Sequence, residues 1–174
     1  MMFNTKIAAL LHEEHVHTIK ALQGLEEYLL TQTSRRLPDL ADAKVRALLE
    51  DMLLSVAAEV ERHFGFEENH LFRVLIEQGE AGIAAFLTEE HATILPLAQD
   101  LAVQARAALA GEGFTAEGWK EFHRSGIELC EREIFHIQKE EMGLLAAISM
   151  YVDGDADAQL AEIYKALVAA SEAA

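Results

Sequence analysis

The sequence predicts an all-α fold, an up-down-up-down antiparallel four-helix bundle with a short additional C-terminal helix. Three observations carry this. Apolar residues make up 51% of the 174, mostly Ala and Leu rather than β-branched or aromatic types, with two prolines in all. Apolar positions recur at helical spacing along almost the whole chain. The few breaks leave four long helices with short connections, and short connections make consecutive helices antiparallel neighbours.

The breaks define each element. The first helix runs from about Asn4 to Thr31, with Asn4 or Thr5 as its N-cap. "TQTSRRLPD" supplies a turn, Pro38 being tolerated near a helix start. The second helix runs from about Asp39 to Gln78 and is broken by "GEAG". The third begins between Ala81 and Thr88 and stops before "GEG" at 111. Its interior Pro96 either kinks it around the bundle or shapes a pocket beside Leu95. Thr115 caps the fourth helix, which reaches about Tyr151. After "DGDAD", Asp155 is the expected cap of a fifth helix over about 155–172, packed across one side or end. The bundle therefore spans about 4–151 of a single 1–174 domain, without repeats or long linkers.

Charge and composition exclude several classes. A formal charge of −16 repels phosphate backbones and anionic membranes, so no nucleic-acid or membrane partner is expected. The apolar run before His12 is too short for a signal segment or a span, which leaves a cytoplasmic protein as the default. The single cysteine, Cys130, reads as a buried core thiol.

The histidines are the informative residues. In "RHFGFEENHLF" (62–72), His63, Glu67 and His70 follow at intervals of four and three, so they stack on one helix face in line with Val56 and Val60. His15 continues the stripe of Ala8 and Leu11 on the first helix. His91 continues Ala84 and Leu87 on the third, and Glu133, His136 and Glu140 continue Phe122 and Leu129 on the fourth. Their depths agree. His15 and His91 lie about ten residues from their helix starts, and His63 and His136 about fourteen from their helix ends, at about 1.5 Å per residue. In an antiparallel bundle these depths coincide to within about a turn, so four imidazoles and two carboxylates converge on one layer. His63-x-x-x-Glu67 is matched by His136-x-x-x-Glu140, each a chelating pair from successive turns. Carboxylates bridging two metal ions would neutralise charge there, and an N/O donor set without thiolate suits iron or manganese better than structural zinc. His12 reads as solvated or as an outer neighbour, and His17 and His123 as exposed.

The motifs "EEH" (13–15), "HFGFEENHLF" (63–72), "EEH" (89–91) and "HIQKEE" (136–141) together resemble the hemerythrin-like, or HHE cation-binding, family. The resemblance covers the four-helix region and its motif order. It implies a bundle around two non-haem iron ions, with manganese or zinc as possible substitutes. By motif position the ligands would be His15, His63, His91 and His136, with Glu67 and Glu140 bridging. It implies binding or sensing of dioxygen, peroxide or nitric oxide, or the handling of iron; a redox enzyme acting on peroxide or nitric oxide is the alternative within this class. Oxygen carriers of the family have a further histidine four residues after the one on the third helix, where this chain has Leu95. A different reading takes Glu67-x-x-His70 and Glu133-x-x-His136 with Glu14 and Glu90 as a ferritin-like carboxylate set. It needs a long crossover between the second and third helices, and only a few residues lie there. His70 and Glu133 are therefore expected as inner neighbours of the site. A non-metal reading remains, an acidic helical interaction module.

Overall fold

The computed structural model describes residues 4–111 and 113–173. All regular structure among them is helical: α1 (Lys6–Thr31), α2 (43–77), α3 (Ala81–Ala110), α4 (116–151) and α5 (Gly154–Glu172). The chain is a helical bundle, as the periodicity requires. Three stretches widen to π-helical pitch: Leu53–Ala58 and Glu67–Leu71 in α2, and Glu140–Leu144 in α4. Two of them begin at the candidate bridging glutamates.

Most ends form as the local chemistry dictates. Thr115 Oγ1 accepts the Gly118 N–H at 3.0 Å and starts α4. α2 ends in a Schellman turn, with Gly79 at φ 94°, its N–H on Ile76 O and the Glu80 N–H on Leu75 O. α3 runs through Pro96, which is exposed. Three starts differ from expectation. α2 begins at Ala43, not near Asp39, because Asp42 accepts the Lys44 N–H while Asp39 turns its carboxylate to Ala41 N–H. Asp153, not Asp155, caps α5. The start of α1 is capped from far along the chain. Asp157 accepts the N–H groups of Lys6 and Ile7, both at 2.9 Å, while Thr5 Oγ1 is buried without a hydrogen bond.

The described chain forms two compact units. One contains 4–16, 61–92 and 136–173, that is, the starts of α1 and α3, the ends of α2 and α4, and all of α5. This is the grouping that alternating helix directions produce. Its core holds Leu11, Phe66, Leu71, Phe72, Leu87 and Leu144, closed by Leu160 and Tyr164 of α5. The other unit contains 17–60 and 93–135. It buries Leu22, Leu25, Leu29, Leu49, Trp119 and Phe122. Cys130 lies there too, fully buried, its thiol directed at Leu22 O and pushed up to about 12 by burial. No helix among the described residues is long and apolar enough to cross a membrane.

Candidate metal centre

The first unit brings together all six residues singled out by spacing. His15, His63, Glu67, His91, His136 and Glu140 are each at most 5% exposed. Every imidazole points its Nε2 inward. His15 Nε2 and His63 Nε2 lie 3.3 Å apart, and His91 Nε2 and His136 Nε2 3.1 Å apart. The two carboxylates lie between these pairs. Glu140 places Oε2 3.1 Å from His15 Nε2 and Oε1 2.8 Å from His136 Nε2. Glu67 places Oε1 3.3 Å from His63 Nε2 and Oε2 3.4 Å from His91 Nε2. Two clusters that could each hold a metal ion result, one of Glu67, His91, His136 and Glu140, the other of His15, His63 and Glu140.

The outward nitrogens explain why Nε2 faces in. Each Nδ1 is bound by a glutamate from the preceding helix of a closed cycle. Glu14 of α1 holds His63 of α2 at 2.9 Å, and Glu68 of α2 holds His91 of α3 at 2.8 Å. Glu90 of α3 holds His136 of α4 at 3.0 Å, and Glu141 of α4 holds His15 of α1 at 2.7 Å. A carboxylate accepts, so Nδ1 carries the proton and Nε2 presents its lone pair. α1 and α3 contribute adjacent Glu-His. α2 and α4 contribute His-x-x-x-Glu-Glu, whose first glutamate enters the centre and whose second serves the neighbouring imidazole. The π pitch begins at that first glutamate in both helices, with Phe72 N–H on Glu67 O and Leu145 N–H on Glu140 O. Such turns widen a helix locally and concentrate at functional sites.

The centre requires cations. Two Nε2 lone pairs facing each other at about 3 Å repel unless a proton or metal lies between or beside them. Both oxygens of Glu67 and both of Glu140 are buried and accept no hydrogen bond, although imidazole nitrogens approach them. Leaving four such oxygens unserved is costly without a cation to bind. Among the described residues, the six carboxylates Glu14, Glu67, Glu68, Glu90, Glu140 and Glu141 meet two permanent cations in close ion pairs, Arg62 on Glu14 and Lys139 on Glu90, which leaves four negative charges. Two divalent ions balance that charge; so do protons on the four imidazoles. Without metal, protons on His91, His63 and His15 supply most of it. Burial is the largest influence on His91 and opposes its charge, but contacts with Glu140, Glu67 and Glu68 outweigh it and push the imidazole up to about 9. His63 and His15 are raised likewise against burial, by Glu67 and Glu14 and by Glu140 and Glu141. Against the same opposing burial, the imidazoles of His136, His15 and His91 hold Glu140 well below the usual carboxylate range. The residues present thus fit a metal: converging lone pairs, unserved oxygens and a charge deficit, all from N and O donors.

Other expectations are redistributed. His70 does not enter the centre. It lies half-buried against Phe66 (ring centroids 5.8 Å) and lines a groove with Arg73, Ala156, Gln159 and Ile163. Widening after Glu67 turns it off the inner face. Glu133 is buried in the other unit. Glu14 and Glu90, the ferritin-like candidates, hold imidazoles from outside. His12 is an outer neighbour, its Nδ1 2.9 Å from Glu141. His17 is exposed as expected. His123 is instead half-buried, its Nε2 2.9 Å from Leu29 O at the end of α1. Sequence reasoning did not find Glu68, Glu141, Arg62 or Tyr164. The doubled glutamates were the available signal for the first two.

Fold and site define a class, a helical bundle enclosing a buried histidine–glutamate cluster able to hold metal. Comparison with protein families names it further: the hemerythrin HHE cation binding domain matches residues 6–148, and the chain belongs to that family. No curated protein matches the chain.

Proposed function

We propose that this is a non-haem di-iron protein that binds or senses a small ligand (dioxygen, peroxide or nitric oxide) or handles iron. The ligands are His15, His63, Glu67, His91, His136 and Glu140. The observation that carries this is the two-sided placement of Glu67 and Glu140, each offering one oxygen to either histidine pair. When bound, two irons supply redox-active centres with positions left for an exogenous ligand; manganese or zinc could occupy the same donors. The chain's own part is binding and exclusion. Glu14, Glu68, Glu90 and Glu141 keep the protons on Nδ1 and orient the rings. Phe64 lies flat on His91 at 3.7 Å and Phe72 beside it, so that side is screened from water.

The test is metal analysis with optical spectroscopy on protein made in iron-replete cells. About two irons per chain, with ligand-to-iron absorption that responds to dioxygen or nitric oxide, is the expected result. Absence of metal, with full helicity and an unchanged melting temperature on adding it, would instead establish an acidic interaction module. Turnover of peroxide or nitric oxide with reductant would move the reading to a redox enzyme. His70 is directed away from the centre and Glu14 and Glu90 are committed to imidazoles, so no observation favours the ferritin-like set.

A further inference from the structure

We infer that Tyr164, on the helix beyond the family-matched region, is a positioning residue of the metal centre that fixes His63 through Glu14. Both oxygens of Glu14 are committed. Oε1 accepts from His63 Nδ1 at 2.9 Å, and Oε2 accepts from the Tyr164 hydroxyl and the Arg62 guanidinium. A carboxylate held at both ends cannot rotate away from the imidazole it orients. Glu14 is also the most buried of the four outer carboxylates, its side chain 9% exposed against 24% for Glu90, 26% for Glu141 and 39% for Glu68. Burial removes the water that would otherwise serve its second oxygen, so the protein has to serve it. Lys139 braces Glu90 and His12 braces Glu141, both from bundle helices. Glu14 draws its brace from α5 as well, through Tyr164.

The hydroxyl is placed by construction. Tyr164 is 3% exposed, with its ring edge-on to Phe66 at 4.9 Å. Asp157, seven residues earlier and hence two turns away on the same face, grips the first two N–H groups of α1. Glu14 is likewise two turns beyond Ile7. Two contacts at matching spacing therefore register α5 against α1 and deliver the phenol to the carboxylate. An uncharged donor adds no cation to the centre. It draws density from Glu14 and so moderates how strongly Glu14 polarises His63, which tunes the imidazole's donation to a metal.

This rests on the assignment of His63 as a ligand, and the test separates the two. Zinc affinity is measured by chelator competition, and the His63 Nδ1 proton is followed by NMR of the zinc-loaded, ¹⁵N-histidine protein. Tyr164→Phe keeps the ring on Phe66 and removes only the hydroxyl. The expected result is about tenfold weaker binding of one of two ions, the lower end for loss of an outer partner, with the His63 Nδ1 signal shifted or exchanging and that of His91 unchanged. In a Glu14→Ala background the same change should add nothing, since its route is gone. Unaltered affinity and signal in Tyr164→Phe, or an equal effect in both backgrounds, would overturn the inference and leave Tyr164 as packing. If His63→Ala itself left zinc binding unchanged, the metal-site assignment would be the one to fall.

Discussion

His15 and His63 sit in a polar frame, whereas His91 and His136 sit in an aromatic one. Around the first pair, Glu14 is braced by Arg62 and Tyr164, and Glu141 by His12. Around the second pair, Phe64 stacks on His91 within 6° of parallel and meets His136 edge-on at 5.2 Å, while Lys139 braces Glu90 and Glu68 is the most exposed of the four serving carboxylates. The inner donors are of the same types in both halves, so the difference lies in how they are immobilised. Hydrogen bonds fix direction and respond to charge. Ring contacts fix position by shape and keep water out. One half should therefore be sensitive to changes of charge and the other to changes of volume.

The strongest way to break the comparison is to remove what the halves share. Glu140 belongs to both clusters that could hold an ion, so on the proposed two-ion reading Glu140→Ala should take metal content from about two ions per chain to almost none. Retention of one full equivalent would show that the halves fill independently. Single-histidine changes come next. Each of His15→Ala, His63→Ala, His91→Ala and His136→Ala should weaken binding by more than about 100-fold, beyond what loss of an outer partner costs. His17→Ala and His70→Ala should change chelator competition little. A His70→Ala loss equal to that of His63→Ala would contradict the geometry described.

Protons and metal compete for the same Nε2 atoms, which gives a pH signature. In metal-free protein His91 is held up to about 9, with His63 and His15 also raised. Imidazoles raised by folding stabilise the metal-free form fully below the ordinary value of about 6.5, and that stability is lost as pH rises through about 9. Metal has progressively fewer protons to displace over the same window. The gap in melting temperature between metal-loaded and metal-free protein should therefore widen from pH 6.5 to 9, and loading at pH 7 should release protons measurable by calorimetry in buffers of different ionisation enthalpy. A constant gap would mean the imidazoles are neutral before metal arrives.

These contrasts show which features a one-dimensional reading reaches. Helical periodicity and matching depths bring His15, His63, Glu67, His91, His136 and Glu140 into one layer, because both follow from 3.6 residues per turn and 1.5 Å per residue. The positions beside the stripe are harder. Glu14 and Glu90 look like rival ligands when only the helix carrying them is considered; across the helix boundary they are seen to serve a neighbour's imidazole. His70 fails for a different reason: its place on the inner face assumes constant pitch, and the π turn after Glu67 breaks that assumption. The cap of α1 by Asp157 and the brace on Glu14 by Tyr164 join residues about 150 positions apart. No local rule of helix ends or spacing contains that information.

The smallest expected effect sharpens the aromatic side. Phe64→Leu keeps an apolar side chain but removes the ring lying 3.7 Å from His91. An aromatic pair of this kind contributes about 0.5–1.5 kcal/mol beyond area burial, and the lost volume adds a cavity term, so destabilisation on the order of 1–3 kcal/mol is expected. Only the first part bears on metal, since loss of the stack frees His91 to rock about its Glu68 contact. Weakening of one ion by at most about tenfold follows from that range, with the other ion unaffected. The effect should also be insensitive to salt, because no charge is altered. Glu14→Gln should behave in the opposite manner, with a modest change in metal-free stability and a marked change in affinity that varies with pH. If Phe64→Leu and Glu14→Gln weakened the same ion with the same pH and salt dependence, the division into a polar and an aromatic half would fail. The centre would then be one cooperative unit in which any loosened brace is felt at both metals.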